Sequence, residues 1–253
     1  MNNYKLTIQY DGNRYKGWQR LGDSDSTIQG KIEKAISVLT GESIEIIGSS
    51  RTDAGVHALH QVANVKLAQP LTTERMMSFL NHYLPPDISV IQVEQVDERF
   101  HARFHATDKT YVYKIWNREY SQPFLRKYSM HVVKPLDVLK IQEAAAHFIG
   151  EHDFTAYANA KSKKKDSVRT IYSLDLVEQD GMLELRVTGN GFLYNMVRKI
   201  VGTLIAVGLG EIQPDHIPAI IASKDRAQTG GMADAEGLYL EHIRFKEQSR
   251  TSK

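Results

Sequence analysis

Two hydrophobic periods alternate through the first hundred residues, and their order leaves few folds open. Tyr4–Tyr10 alternates with period two and stops at Asp11-Gly12, a turn dipeptide, so it predicts a strand. Ile28, Ile32, Ala35, Ile36 and Leu39 then recur at helical spacing, after a Ser26 to Gln29 capping box and before Gly41. Ser43–Ile47 and Gln61–Leu67 return to strand. Thr72 or Thr73 opens a second helix through Met76, Met77, Leu80, Tyr83 and Leu84, which Pro85-Pro86 ends, and Ile88–Val96 closes the set as a strand. The order β-α-β-β-α-β is the split βαβ, ferredoxin-like arrangement.

The second half repeats this grammar with insertions. Lys109–Asn117 and Tyr128–Val133 read as strands and Asp137–Ile149 as an amphipathic helix. Arg169–Glu178 and Met182–Thr188 form a hairpin across Asp180-Gly181. Phe192–Val207 is a strongly apolar helix, Asp215–Ala222 a short one, and Leu238–Phe245 the closing strand. No Gly/Ser- or Pro-rich linker separates the halves. The expectation is therefore α+β: two ferredoxin-like, RRM-like sandwich domains, residues 1–102 and 103–253. Their mostly antiparallel sheets are expected side by side, with the active-site cleft between them.

Several chemistries are excluded by what the chain lacks. It has no Cys, which removes disulfides, Fe–S ligation and thiol catalysis. His57 with His60, and His101 with His105, have ligand-like spacing but no third carboxylate in register, so no metal is expected. Gly189-Asn190-Gly191 lacks the third glycine of a dinucleotide fingerprint, since Tyr194 stands there, and it follows a hairpin. Neither a GxxxxGK[ST] phosphate loop nor a G-x-S-x-G elbow occurs, so no cofactor is expected. No apolar run reaches membrane-spanning length and the N-terminus reads as a strand, so the expected location is cytoplasmic. The 32 Lys and Arg nearly balance 30 Asp and Glu, leaving +2, so any nucleic-acid surface must be local.

Three stretches exceed the needs of a core. Gly48–Ala58 (GSSRTDAGVHA) sets Arg51 and Asp53 among small residues, in a connection longer than a hairpin requires. It equally fits an Asp-Ala-Gly turn in which Asp53 bonds its own backbone. Arg198 lies within the apolar helix; if buried it needs an anion, and the other reading carries it to solvent. Lys199 beside it is expected to snorkel out along its stem. Cations interleaved with aromatics make the third: Arg14-Tyr15-Lys16-Gly17-Trp18, Phe100–His105 with Arg103, and the run around Lys163, Lys164 and Lys165. Such runs are ordinary solvated loops or surfaces where rings stack on bases and cations hold phosphates.

Taken together, GSSRTDAGVHA, the opening YDGNRYKGWQR, FHARFHATDKTYVYKI, GFLYNMVRKIVG and the ending EGLYLEHIRF resemble the tRNA pseudouridine synthase A family, in order and over nearly the whole chain. The resemblance implies an isomerase that converts uridine to pseudouridine at positions 38, 39 and 40 of the tRNA anticodon stem-loop, without metal or cofactor, as a homodimer. It implies Asp53 as the catalytic aspartate, Arg198 as its partner and Tyr111 as the ring that stacks on the target base and acts in proton removal. Leu238 is implied to line the base pocket and Arg51 to assist base flipping. Arg14, Trp18, Arg103 and Lys163–Lys165 are further RNA contacts expected from charge and aromatic content. A non-catalytic pair of RRM-like sheets is the rival, but neither half carries an RNP1-like run.

Overall fold

The computed structural model describes residues 1–22, 26–158 and 166–246. In chain order these form β1 (Asn2–Tyr10), α1 (Ile28–Thr40), β2 (Ile46–Gly48), β3 (His57–Leu67), α2 (Thr73–Tyr83) and β4 (Ile88–Val96). There follow β5 (Ala106–Trp116), β6 (Met130–His131), α3 (Val138–Ala146), β7 (Gly150–Asp153), β8 (Val168–Gln179), β9 (Met182–Gly189), α4 (Met196–Gly208), α5 (Ile217–Ser223) and β10 (Leu238–Phe245). By compactness the chain divides into two units, Met1–Lys109 with the chain from Leu240 on, and Thr110–Tyr239. The division falls inside strands β5 and β10, whereas the sequence pattern places it at 102/103 with the whole C-terminus in the second half.

In the first unit β1 pairs antiparallel with β3 on one side and β4 on the other, and β2 pairs with β3. The spatial order β4-β1-β3-β2 follows from the expected βαββαβ connectivity. Register sets Leu6 opposite both Ala63 and Val93. Leu6 and Ile8 are fully buried, as are Ile28, Ile32, Ala35 and Ile36 of α1 and Met76 and Leu80 of α2. Each large aliphatic side chain so removed from water contributes about 1.5–3 kcal/mol.

In the second unit β7 and β9 pair antiparallel on either side of β8, while β6 pairs parallel with β5. The β8–β9 turn puts Asp180 and Gly181 at φ 53° and 88°, the left-handed pair a two-residue hairpin demands. α4 is buried along nearly its whole length, as its unbroken apolar run requires.

Local departures from the sequence reading have local causes. The α1 cap is Thr27, whose hydroxyl accepts from the Gly30 amide at 3.3 Å, not Ser26. The Gln29 side chain donates to Glu33 and accepts the Arg20 amide. α4 begins at Met196, because Asn195 at φ 65° cannot continue a right-handed helix back to Phe192. The expected strand at 128–133 shrinks to two residues.

Candidate active site

The connection between β2 and β3 is an extended segment with alternating fate. Ser50 and Thr52 point inward and are buried, Arg51 is exposed, and Asp53 is half-buried. Each inward residue has a partner. Gln61, fully buried on β3, accepts the Ser50 amide at 3.2 Å and donates to the Ser50 carbonyl at 2.8 Å. The Thr52 hydroxyl shares a hydrogen bond with Tyr10 at 2.7 Å. Immediately after comes a turn in which the Val56 amide donates to the Asp53 main-chain carbonyl at 3.2 Å. Gly55 holds φ 80° in that turn, a conformation that favours glycine at its third position. A turn is therefore present at Asp53-Ala54-Gly55, closed through the Asp53 main chain, and it fixes the backbone directly after Asp53.

A second segment, 11–18, wraps this loop. Gly17 at φ 95° lies so close that a Cβ there would meet the Thr52 carbonyl oxygen at 2.6 Å, and the Trp18 amide donates to that oxygen at 3.1 Å. The Gly12 amide donates to His57 Nδ1 at 3.2 Å. The Trp18 ring packs on Gly48, where any side chain would collide with the indole. Trp18 is 1 % exposed, which corrects the expectation of a ring offered to a base: it is the floor of the loop. Arg14, expected to hold a phosphate, donates through Nε to Asp87 at 2.8 Å, and the Tyr15 hydroxyl donates to the same carboxylate.

Cations gather where the loop begins. Lys109 Nζ donates to the Ser49 carbonyl at 2.7 Å and Arg103 Nη2 to the Gly48 carbonyl at 3.4 Å. Burial and the neighbouring Arg51 charge lower the pKa of the Arg103 guanidinium. Sequence reasoning misses Lys109 and Gln61 as site residues. Gln61 leaves a signal, being a polar residue in inward register with Ala63, Val65 and Leu67.

The second unit carries Tyr111, Arg198 and Leu238. Tyr111 is 6 % exposed on β5 and meets Phe192 edge-to-face, ring centroids 5.3 Å apart and planes at 87°. Arg198 is half-buried, and its Nε donates to the Ala233 carbonyl at 2.8 Å. Leu238 is buried at the start of β10, just after Gly237, which lies against the Tyr113 ring. The Tyr113 hydroxyl donates to the Asp234 carbonyl, and burial raises its pKa far above the usual phenol value. Lys199 does not snorkel: it is 7 % exposed and donates to the Gly230 carbonyl at 2.9 Å. Lys163, Lys164 and Lys165 lie outside the described residues. Among the described residues no group of three His, Asp or Glu is arranged to hold a metal ion, and no helix is long and apolar enough to cross a membrane.

The family model for tRNA pseudouridine synthase matches residues 6–105 and 144–246. A tRNA pseudouridine synthase A 2 of Bacillus cereus (strain ZK / E33L) is 60% identical over 245 residues, covering 97% of this chain and 100% of the relative. A tRNA pseudouridine synthase A of Bacillus sp. (strain KSM-64) matches to the same identity and extent. The Clostridium tetani tRNA pseudouridine synthase A 2 is 46% identical over 242 residues, covering 95% of this chain and 98% of its own.

Proposed function

The chain belongs to the tRNA pseudouridine synthase family, isomerases that convert uridine to pseudouridine in tRNA, and we propose that its targets are positions 38, 39 and 40 of the anticodon stem-loop, with Asp53 as nucleophile. The observation that carries the assignment of Asp53 is the construction of its loop. Ser50 and Thr52 are turned inward and bonded, a glycine turn fixes the backbone after Asp53, and Arg103 and Lys109 bring positive charge to the start of the same loop.

The reaction breaks the N1–C1′ bond, forms C5–C1′, moves a proton off C5 and leaves one on N1. Nothing is oxidised or reduced. A carboxylate attacks C1′ or C6, or assists glycal formation, and all three routes need it ionised. Arg198 serves that need, because a guanidinium keeps its proton and grips a carboxylate through paired N–H donors. Reaching the base costs a few kcal/mol of unstacking. Stacking on Tyr111, worth about 1–3 kcal/mol, offsets it, with Leu238 closing the base pocket and Arg51 aiding the flip. Tyr111 also serves in removal of the C5 proton.

Arg103 and Lys163–Lys165 hold the RNA backbone. The enzyme works in the cytoplasm, without a cofactor, as a homodimer. The test is incubation with unmodified tRNA, followed by chemical labelling of pseudouridine and primer extension. Stops at 38, 39 and 40 are expected; modification confined to another stem would reject the site assignment.

A further inference from the structure

Lys199 occupies a position that ordinary packing would give to an apolar residue. It lies on α4, a helix buried along most of its length, and only 7 % of it is exposed. Burial pushes its ammonium pKa down, and the nearby Arg226 charge pushes it further in the same direction. Burying an ammonium costs free energy unless it is paired or hydrogen-bonded. Its ammonium therefore calls for a purpose beyond filling space.

What it holds is a strap. Residues 229–234 run over α4 at the level of Gly202, where a Cβ would strike the Gly231 carbonyl oxygen. Four hydrogen bonds tie the strap to the helix. Lys199 Nζ donates to the Gly230 carbonyl at 2.9 Å, and the Gly230 amide donates to the Thr203 hydroxyl at 3.1 Å. Three residues on, the Ala233 amide donates to the Arg198 carbonyl at 3.1 Å, and Arg198 Nε donates to the Ala233 carbonyl at 2.8 Å. Thr203 in turn donates to the Lys199 carbonyl at 2.9 Å, closing the network on itself.

We propose that Lys199 is a positioning residue for Arg198: by gripping Gly230 it fixes the strap whose Ala233 carbonyl sets the plane of the Arg198 guanidinium. Glycines at 230 and 231 leave the strap backbone little stiffness of its own, so the position of Ala233 depends on its anchors. With Nε committed to Ala233, rotation of the strap would swing the Nη edge, the edge suited to a carboxylate. The inference rests on the reading of Arg198 as the partner of Asp53.

The test is a double-mutant cycle on turnover of unmodified tRNA, with Lys199→Met, Arg198→Met and the double variant. Misplacing a catalytic group by an ångström costs on the order of a hundredfold, so Lys199→Met should lower kcat at least tenfold. KM should hold steady, and so should the urea midpoint, since methionine fills the volume without a charge and the Thr229 hydroxyl still donates to the Gly230 carbonyl. Lys199→Gln, which can still donate to Gly230, should recover part of the rate. In the Arg198→Met background the Lys199 substitution should cost nothing more. Losses that multiply in the double variant, a wild-type kcat in Lys199→Met, or a fall in activity that tracks a fall in the urea midpoint in both Lys199 variants would overturn the proposal. A wild-type rate in Arg198→Met alone would instead reject the reading of Arg198.

Discussion

Arg198 and Ala233 hold one another twice: the guanidinium Nε donates to the Ala233 carbonyl at 2.8 Å, and the Ala233 amide returns a bond to the Arg198 carbonyl at 3.1 Å. A guanidinium that donates to the same residue whose amide its own main-chain carbonyl receives is pre-oriented before substrate arrives, and pre-orientation is what an electrostatic partner needs. Arg198→Met is expected to lower kcat by about 10²–10³-fold, the usual effect of removing one preorganised donor. Arg198→Lys should rescue little, because an ammonium lacks the fork. Single-turnover rates at saturating enzyme check both.

Asp53→Asn keeps the size and shape of the side chain but removes its negative charge. Loss of a nucleophile typically removes on the order of 10⁴-fold or more of kcat. Pseudouridine formation should therefore vanish while tRNA binding, measured by filter retention, stays within about twofold of the wild type. Turnover near the wild-type rate would remove Asp53 from the chemistry.

Gln61 satisfies both backbone groups of Ser50 from a fully buried position. Gln61→Leu fills the space and removes both of those hydrogen bonds. Each bond so removed costs about 0.5–1.5 kcal/mol. A lower urea midpoint with unchanged slope is expected, together with a lower kcat, since Asp53 follows three residues later. A leucine variant with both intact would show that the loop keeps its shape by other means.

Much of this architecture is legible in the residues, and the failures share a cause. Asp180-Gly181, the Gly41 helix stop and Ile88–Val96 can be read because turn chemistry and period two act locally. Asn195 cannot, because a left-handed φ at a non-glycine residue is imposed by what surrounds it, and the surrounding run is apolar enough to read as helix. Trp18 sits among cations and so looks like a stacking surface, but the decisive partner is Gly48, thirty residues away, whose bare backbone receives the indole. Lys199 looks solvated for a similar reason: the carbonyl that holds it belongs to Gly230, far along the chain. Residue type is informative wherever the partner is near in sequence.

Lys163, Lys164 and Lys165 test the electrostatic part of the proposal. Neutralising all three to Gln should weaken tRNA binding and flatten the plot of log K against log salt. Each phosphate left without its cation reduces the slope by roughly 0.7–0.9. Titration between low and moderate salt measures it, and an unchanged slope would make the run an ordinary solvated loop.

His101 gives a pH dependence whose sign follows from geometry. Its Nδ1 accepts from the Arg103 amide at 3.2 Å and the Phe104 amide at 3.3 Å, and its ring stacks on Phe104, centroids 4.1 Å apart. Protonation would replace that acceptor with a donor and break both bonds. Burial first, then the Arg103 charge, lowers the folded-state pKa below the ordinary 6.5. The unfolded chain therefore takes up its proton at higher pH than the folded one. Stability from neutral His101 is present above about 6.5 and is lost as pH falls through the folded value. His101→Asn keeps an acceptor for the same amides, in the manner of an Asx turn, but does not titrate. Its unfolding midpoint should fall less than the wild type's between pH 7 and 5. Parallel curves for the two proteins would place the acid sensitivity elsewhere.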